Sequence, residues 1–80
     1  MKRTIRPDNV EEGDIVEFVM PDFAPKTNTP IPVGTKARFL EWVTEDGVDF
    51  FYASVIPIDV VPDTKGWIMT NPNILVVEEN

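Results

Sequence analysis

The sequence predicts an all-β domain, and three observations carry that prediction. Eight prolines divide the 80 residues, and no interval between them shows the 3.6-residue apolar period of an amphipathic helix. The longest proline-free stretch, residues 33–56, is rich in Phe, Trp, Tyr and Val, which favour strands. Within it, Asp46-Gly47 predicts a tight hairpin, because a type I′ turn needs positive φ at both central residues.

The first half of the chain predicts two strands and a long loop. Residues 14–19 form the first strand, with apolar residues on both faces, as in the curled strands of a small barrel. Residues 20–32 contain four prolines and form the loop. Residues 35–43 form the second strand, and their apolar phase changes at Leu40. That change predicts a β-bulge or a sharp bend.

The third strand follows the Asp46-Gly47 turn and covers residues 48–56. If alternation holds, one face carries Phe51, Ala53 and Val55. The other face then carries the alternate residues Phe50, Tyr52, Ser54 and Ile56. The remaining elements are short: a loop over 57–65, a fourth strand over 66–69, one 3₁₀ turn over 70–73 and a fifth strand over 74–77.

The composition points away from catalysis. The chain has no His and no Cys, and Ser54 is its only serine. These are the side chains from which most chemistry at neutral pH is built. The prediction is therefore a non-enzyme without a cofactor. The lack of Cys also excludes disulfides and thiolate metal sites, which makes a reducing cytoplasm the expected compartment.

The charge is acidic and unevenly distributed. The net charge is −7, yet Lys2, Arg3 and Arg6 supply three of the seven basic residues. We therefore predict a basic-then-acidic N-terminal arm over residues 1–12 and a single domain over residues 13–80. The acidic body repels phosphate backbones, so no direct nucleic-acid binding is expected, and no apolar run is long enough to cross a membrane. The expected partner is another protein with a neutral or basic surface.

Three short motifs resemble the Src-homology-3-like barrel superfamily. Residues 66–74 (GWIMTNPNI) are similar to its closing pattern, Gly-aromatic-Ile-x-Ser-Asn-Tyr before the last strand. Residues 34–40 (GTKARFL) look like its Gly-led second strand, and residues 50–53 (FFYA) fall where it keeps paired aromatics and a small residue. The resemblance implies a small five-stranded barrel with one long proline-rich loop and a single 3₁₀ turn before the last strand.

The resemblance also implies two kinds of binding. Accessory subunits with this barrel, bacterial and photosynthetic, dock onto larger complexes. Peptide-binding members hold a polyproline helix in a groove of aromatics. Here Phe50 or Phe51 stands for the groove tryptophan, and Phe23 or Phe18 for an aromatic near the first loop. Met69 replaces the groove proline and Pro72 the groove tyrosine, so two of the four groove elements are altered.

The aromatic residues divide into a predicted core and a predicted surface. The core set is Phe18, Phe39, Phe51 and Trp67. Clustered exposed aromatics are typical of protein interfaces. The alternative is that the strong curl of the barrel, or the long loop with Phe23, covers these side chains. The predicted partner-binding patch consists of Phe23, Trp42, Phe50, Tyr52 and Met69. Its predicted acidic rim consists of Glu41, Glu45, Asp46 and Asp49. For Glu45, Asp46 and Asp49 at the hairpin tip, a solvated turn is a better explanation than a metal site.

Two functions are compatible with these features. The first is a non-catalytic protein-binding module or accessory subunit that docks through the aromatic patch with its acidic rim. The second is a small acidic inhibitor of the viral type, which mimics nucleic acid and blocks a nucleic-acid-processing protein. Homo-oligomers through unpaired strand edges are a further alternative.

Overall fold

The computed structural model describes residues 1–23, 30–44, 51–59 and 67–79. These residues form strands and one 3₁₀ turn, so the predicted all-β class is confirmed. No helix in them is long and apolar enough to cross a bilayer. The elements in chain order are β1 (Lys2–Thr4), β2 (Ile15–Phe18), β3 (Asp22–Phe23), β4 (Pro30–Ile31), β5 (Lys36–Thr44), β6 (Phe51–Pro57), β7 (Ile68–Thr70), the 3₁₀ turn (Pro72–Ile74) and β8 (Leu75–Glu78).

The main sheet is antiparallel and has six strands in the order β1-β8-β2-β5-β6-β7. Five of these strands overlap the five that the sequence predicts. The sixth, β1, comes from the predicted N-terminal arm and pairs with β8, with Lys2 opposite Glu78 and Thr4 opposite Val76. The same segment buries Ile5 and Val10 in the core. Residues 2–4 are therefore part of the sheet, and Ile5 and Val10 are part of its core.

The long loop contains a second, two-stranded sheet. β3 and β4 pair antiparallel, with Asp22 opposite Ile31. The register is the one in which β2 pairs with β5, where Ile15 lies opposite Arg38. The Thr70 hydroxyl of β7 donates a hydrogen bond to the Asp22 carboxylate. Gly34, at φ +91°, supports the return of the chain into β5. The loop is thus attached to the sheet through its own hairpin.

The predicted bulge in β5 is confirmed. The β5–β6 register shifts between Phe39 and Glu41, so that Phe39 lies opposite Val55 and Trp42 lies opposite Ala53. Val55 and Ala53 are two residues apart and share a face of β6. The bulge therefore puts Phe39 and Trp42 on the same face, although they are three residues apart in a strand.

One apolar cluster forms the core of the structure. The predictions for Phe18 and Phe39 are confirmed, since both are buried, whereas Trp67 is only half-buried. The prediction for Phe51 is wrong: its side chain is 50% exposed. Phe51 lies on the expected face but at the end of the β5–β6 ribbon, beyond the core. The buried apolar residues are Ile5, Val10, Val16, Phe18, Ile31, Ala37, Phe39, Ala53, Val55, Ile56, Ile68, Leu75 and Val77.

Several predicted features lie outside the described residues. They include the Asp46-Gly47 turn, the beginning of the third predicted strand at residues 48–50 and most of the second loop. The antiparallel pairing of β5 with β6 is observed on the near side of that turn, as far as Thr44 opposite Phe51.

Candidate functional site

A groove of about 650 Å³ opens where three parts of the chain meet. One wall is the end of the β5–β6 ribbon, the second is the 3₁₀ turn, and the third is the segment that follows β1. The described residues lining it are Ile5, Arg6, Pro7, Trp42, Phe51, Tyr52, Asn71, Pro72 and Asn73. We call this site the aromatic groove.

A row of three aromatic rings connects the core to the floor of the aromatic groove. The buried Phe39 ring lies 5.4 Å from the Trp42 ring, centroid to centroid, with a tilt of 58°. The Trp42 ring lies 6.2 Å from the Phe51 ring in an edge-on arrangement. Such pairs contribute roughly 0.5–1.5 kcal/mol each beyond simple burial. The exposed Phe51 ring is therefore held by contacts that begin in the core.

The geometry of this row follows from the bulge and the register. Trp42 pairs with Ala53 and Thr44 pairs with Phe51, so Trp42 and Phe51 are diagonal neighbours on one face. Tyr52 pairs with Val43 and belongs to the opposite face of the ribbon, yet it also borders the aromatic groove. Without the extra residue at the bulge, Trp42 would lie on the face opposite Phe39.

The 3₁₀ turn forms a fixed polar wall. The Asn71 side-chain oxygen accepts a hydrogen bond from the Asn73 backbone N–H at 2.9 Å, and Pro72 occupies the first position of the turn. The turn closes where the Leu75 N–H donates to the Pro72 carbonyl, and partly buried Ile74 packs against the core. Asn71 and Asn73 are exposed and present polar groups to a ligand.

The third wall is held by β1 and by a turn after it. The Ile5 N–H donates to the Leu75 carbonyl at 3.1 Å, and the Ile5 side chain is buried. The Asn9 side chain accepts from the Arg6 N–H at 2.7 Å and donates to the Thr4 carbonyl at 3.0 Å. Arg6 is the only charged residue among the described lining of the aromatic groove.

The structure brings together part of the predicted partner-binding patch. Trp42 and Tyr52 both line the aromatic groove, and both are half-buried. Phe23 is 57% exposed on β3 and Met69 is half-buried on β7, and neither is among the described lining residues. Phe50 lies outside the described residues.

The acidic rim is described at one position only. Glu41 is exposed, but it borders a different depression, with Leu40, Val43 and Trp67. Glu45, Asp46 and Asp49 lie outside the described residues. Elsewhere in residues 1–23, 30–44, 51–59 and 67–79, no group of three or more acidic residues is arranged to hold a metal ion.

Three parts of the aromatic groove do not follow from the strand pattern of the sequence. Strand alternation predicts Phe51 in the core, because it gives the face of a residue but not where the core ends; the resemblance offers Phe51 as one of two residues for the groove tryptophan. Arg6 and Pro7 fall in the predicted arm, because the three polar residues of β1 are too few to show a strand pattern. The Asn71-Pro72-Asn73 motif correctly indicated a 3₁₀ turn, but its position beside the ribbon depends on the whole sheet.

Comparison of the chain with protein-family models, curated proteins and solved structures finds no match. Function is therefore inferred from the geometry of the site itself.

Proposed function

We propose that this protein is a non-catalytic protein-binding module or accessory subunit, which binds a segment of a larger protein in the aromatic groove. The observation that carries the proposal is the Phe39–Trp42–Phe51 row, which leads from a buried ring to a half-exposed one. Aromatic side chains anchored in this way dominate the binding energy of many protein interfaces. The groove volume of about 650 Å³ suits a few side chains of a partner.

We further infer a Src-homology-3-like barrel as the architecture. The chain order supports it: β2, a long loop, β5, β6, β7, one 3₁₀ turn and β8 follow each other as in that superfamily. β1 and the β3–β4 hairpin are additions to the five predicted strands. The aromatic groove uses Pro72 and Phe51, two of the positions that the resemblance implies, while Met69 lies elsewhere.

The charge pattern of the sheet favours this function over mimicry of nucleic acid. On the solvent face, the Lys2 ammonium donates to the Glu17 carboxylate at 2.7 Å, and Lys36 lies opposite Glu17 in the register. The Glu17 pKa is lowered chiefly by that hydrogen bond. A nucleic-acid mimic needs unpaired carboxylates at phosphate-like spacing, whereas the Glu17 carboxylate on this face lies between two lysines.

The experiment compares two exposed phenylalanines. Phe51 is 50% exposed in the aromatic groove and Phe23 is 57% exposed outside it, so Phe51→Ala and Phe23→Ala remove the same side chain from two surfaces. Partners purified from the native host with the wild-type protein are identified by mass spectrometry, and their affinities are then measured with purified components. We expect Phe51→Ala to weaken binding at least about tenfold, as interface hot spots do.

The Phe23→Ala variant serves as the matched control and is expected to bind within about twofold of the wild type, as contacts outside a hot spot do. A partner that binds both variants equally well, with Phe51→Ala still folded by circular dichroism, would contradict the proposed function of the aromatic groove. Catalytic turnover by the pure protein would contradict the non-enzymatic assignment.

A further inference from the structure

We propose that the aromatic groove selects partner segments that carry a carboxylate, and that Arg6 is the residue that recognises it. This inference rests on the proposed function and adds the chemistry of the ligand to it. The carboxylate belongs to an aspartate, a glutamate or a chain terminus of the bound segment, placed next to an apolar side chain that contacts the Phe51 ring.

The basic residues near the N-terminus are unevenly paired with carboxylates. Lys2 pairs with Glu17 at 2.7 Å, and Arg3 pairs with Glu79 at 3.1 Å. Within the part of the chain that the structure describes, the Arg6 guanidinium makes no ion pair. The protein has a net charge of −7, and its acidic residues outnumber the basic ones two to one. An arginine without an ion pair is therefore unexpected in this chain, and this one lines a groove.

The backbone of Arg6 is fixed on both sides. Ile5 before it is buried and bonded to Leu75, and its own N–H and C=O are both bonded to Asn9, at 2.7 Å and 3.1 Å. Pro7 after it restricts the backbone further. A guanidinium on a fixed backbone loses less entropy when it binds, because only its side chain must be ordered.

Arg6 borders two depressions with different surroundings. In the aromatic groove it lies with apolar rings and with the amides of Asn71 and Asn73, and no acidic residue is among the described lining residues. The second depression has Asp8 and Glu79 among its lining residues. The planar guanidinium offers parallel N–H donors that match a carboxylate. The groove therefore combines an apolar contact with one site of positive charge, which fits a short apolar segment with an acidic residue.

The test uses a displayed library of random twelve-residue peptides, selected on the wild-type protein. Selected peptides are synthesised, and those that lose binding to Phe51→Ala define the groove-dependent set. Their affinities are then measured for Arg6→Gln and for the control Arg38→Gln, which removes an exposed arginine from β5 outside the groove. Thermal melts confirm that all variants are folded.

We expect the groove-dependent peptides to carry an acidic residue or to require a free carboxyl terminus. Arg6→Gln should weaken their binding about tenfold, in the range of a partly screened charge-assisted hydrogen bond, and Arg38→Gln less than about twofold. Neutralising the peptide carboxylate should weaken binding to the wild type by the same factor of about ten. The same change in the peptide should not weaken binding to Arg6→Gln any further. That non-additivity identifies the pair.

The outcomes separate the two proposals. Groove-dependent peptides whose affinity is unchanged by Arg6→Gln, or which carry no carboxylate, overturn the role of Arg6 and leave the aromatic groove as a binding site. If no selected peptide depends on Phe51, the groove itself is refuted, and the carboxylate selection with it. Equal losses for Arg6→Gln and Arg38→Gln show a general charge effect and also overturn the inference.

Discussion

Replacing Trp42 tests whether the row of aromatic rings in the groove is anchored in the hydrophobic core. Trp42 is half-buried, and its ring contacts Phe39 and Phe51 at centroid distances of 5.4 and 6.2 Å. Truncating a fully buried tryptophan to alanine costs about 3–5 kcal/mol. Because Trp42 is partly exposed, we expect Trp42→Ala to cost about 2–3 kcal/mol, including the lost ring contacts.

A second substitution at the same position separates ring packing from hydrogen bonding. The Trp42 indole Nε1 is buried and has no acceptor among the described residues. An unsatisfied buried donor costs about 1–3 kcal/mol. Trp42→Phe removes that donor and keeps a ring against Phe39, so its stability should lie within about 1 kcal/mol of the wild type, since the two effects oppose each other.

The assay is equilibrium urea unfolding followed by circular dichroism, with the emission of Trp67 as a second probe in both variants. For an 80-residue domain, the total stability is of the order of 4–12 kcal/mol, so the loss in Trp42→Ala is easily resolved. If Trp42→Phe loses as much stability as Trp42→Ala, the indole N–H contributes a hydrogen bond, and the expected compensation from removing it is refuted. A loss below about 1 kcal/mol in Trp42→Ala would show that the row is not anchored in the core.

Three further predictions concern the scaffold. Gly34→Ala should lower the free energy of unfolding by about 1–2 kcal/mol, because φ at this position is +91°. An added Cβ meets nothing within 4 Å, so the loss comes from backbone strain alone. Unchanged stability in thermal or urea unfolding would contradict this. Thr70→Val should cost about 1–3 kcal/mol, because the Asp22 carboxylate loses its donor, whereas Thr70→Ser should retain most of the stability. For the Lys2–Glu17 pair, the Glu17 pKa is lowered from 4.5 and the Lys2 pKa is raised from 10.5, each chiefly by their hydrogen bond. The pair's contribution to the free energy of unfolding should be complete between pH 4.5 and pH 10.5. It should be lost as the pH falls through the lowered Glu17 pKa or rises through the raised Lys2 pKa. The difference in stability between wild type and Glu17→Gln, measured across pH, checks this, and a difference that persists in strong acid would refute it.

Local patterns account for the parts of the fold that the sequence predicts. Prolines and β-forming residues mark the strands, and the phase change at Leu40 marks the bulge, because each of these depends on neighbours in the chain. β1 depends instead on a partner 70 or more residues away: Lys2, Arg3 and Thr4 form a strand because they lie along β8. A three-residue strand has too few positions to show a period.

The candidate site was predicted less completely than the fold, for a related reason. Alternation places Phe51 on the same face as Ala53 and Val55, and the register agrees. Whether that face is covered at Phe51 depends on how far the core extends, and the buried part of this face ends two residues away, at Ala53. The Arg6 wall depends on β1, so the same missing strand concealed it.

The bulge, the core and the aromatic groove depend on one another. Phe39 is 2% exposed and Phe51 is 50% exposed, and Trp42 bridges them only because the extra residue at Leu40 puts it on their face. The other two walls are held in the same way, through buried Ile5 and through Ile74, which packs against the core. A groove whose walls all extend from the core is formed before a ligand arrives, and this lowers the entropy lost on binding. It follows that substitutions in the interior, such as at Phe39, should weaken binding even where they do not touch a ligand.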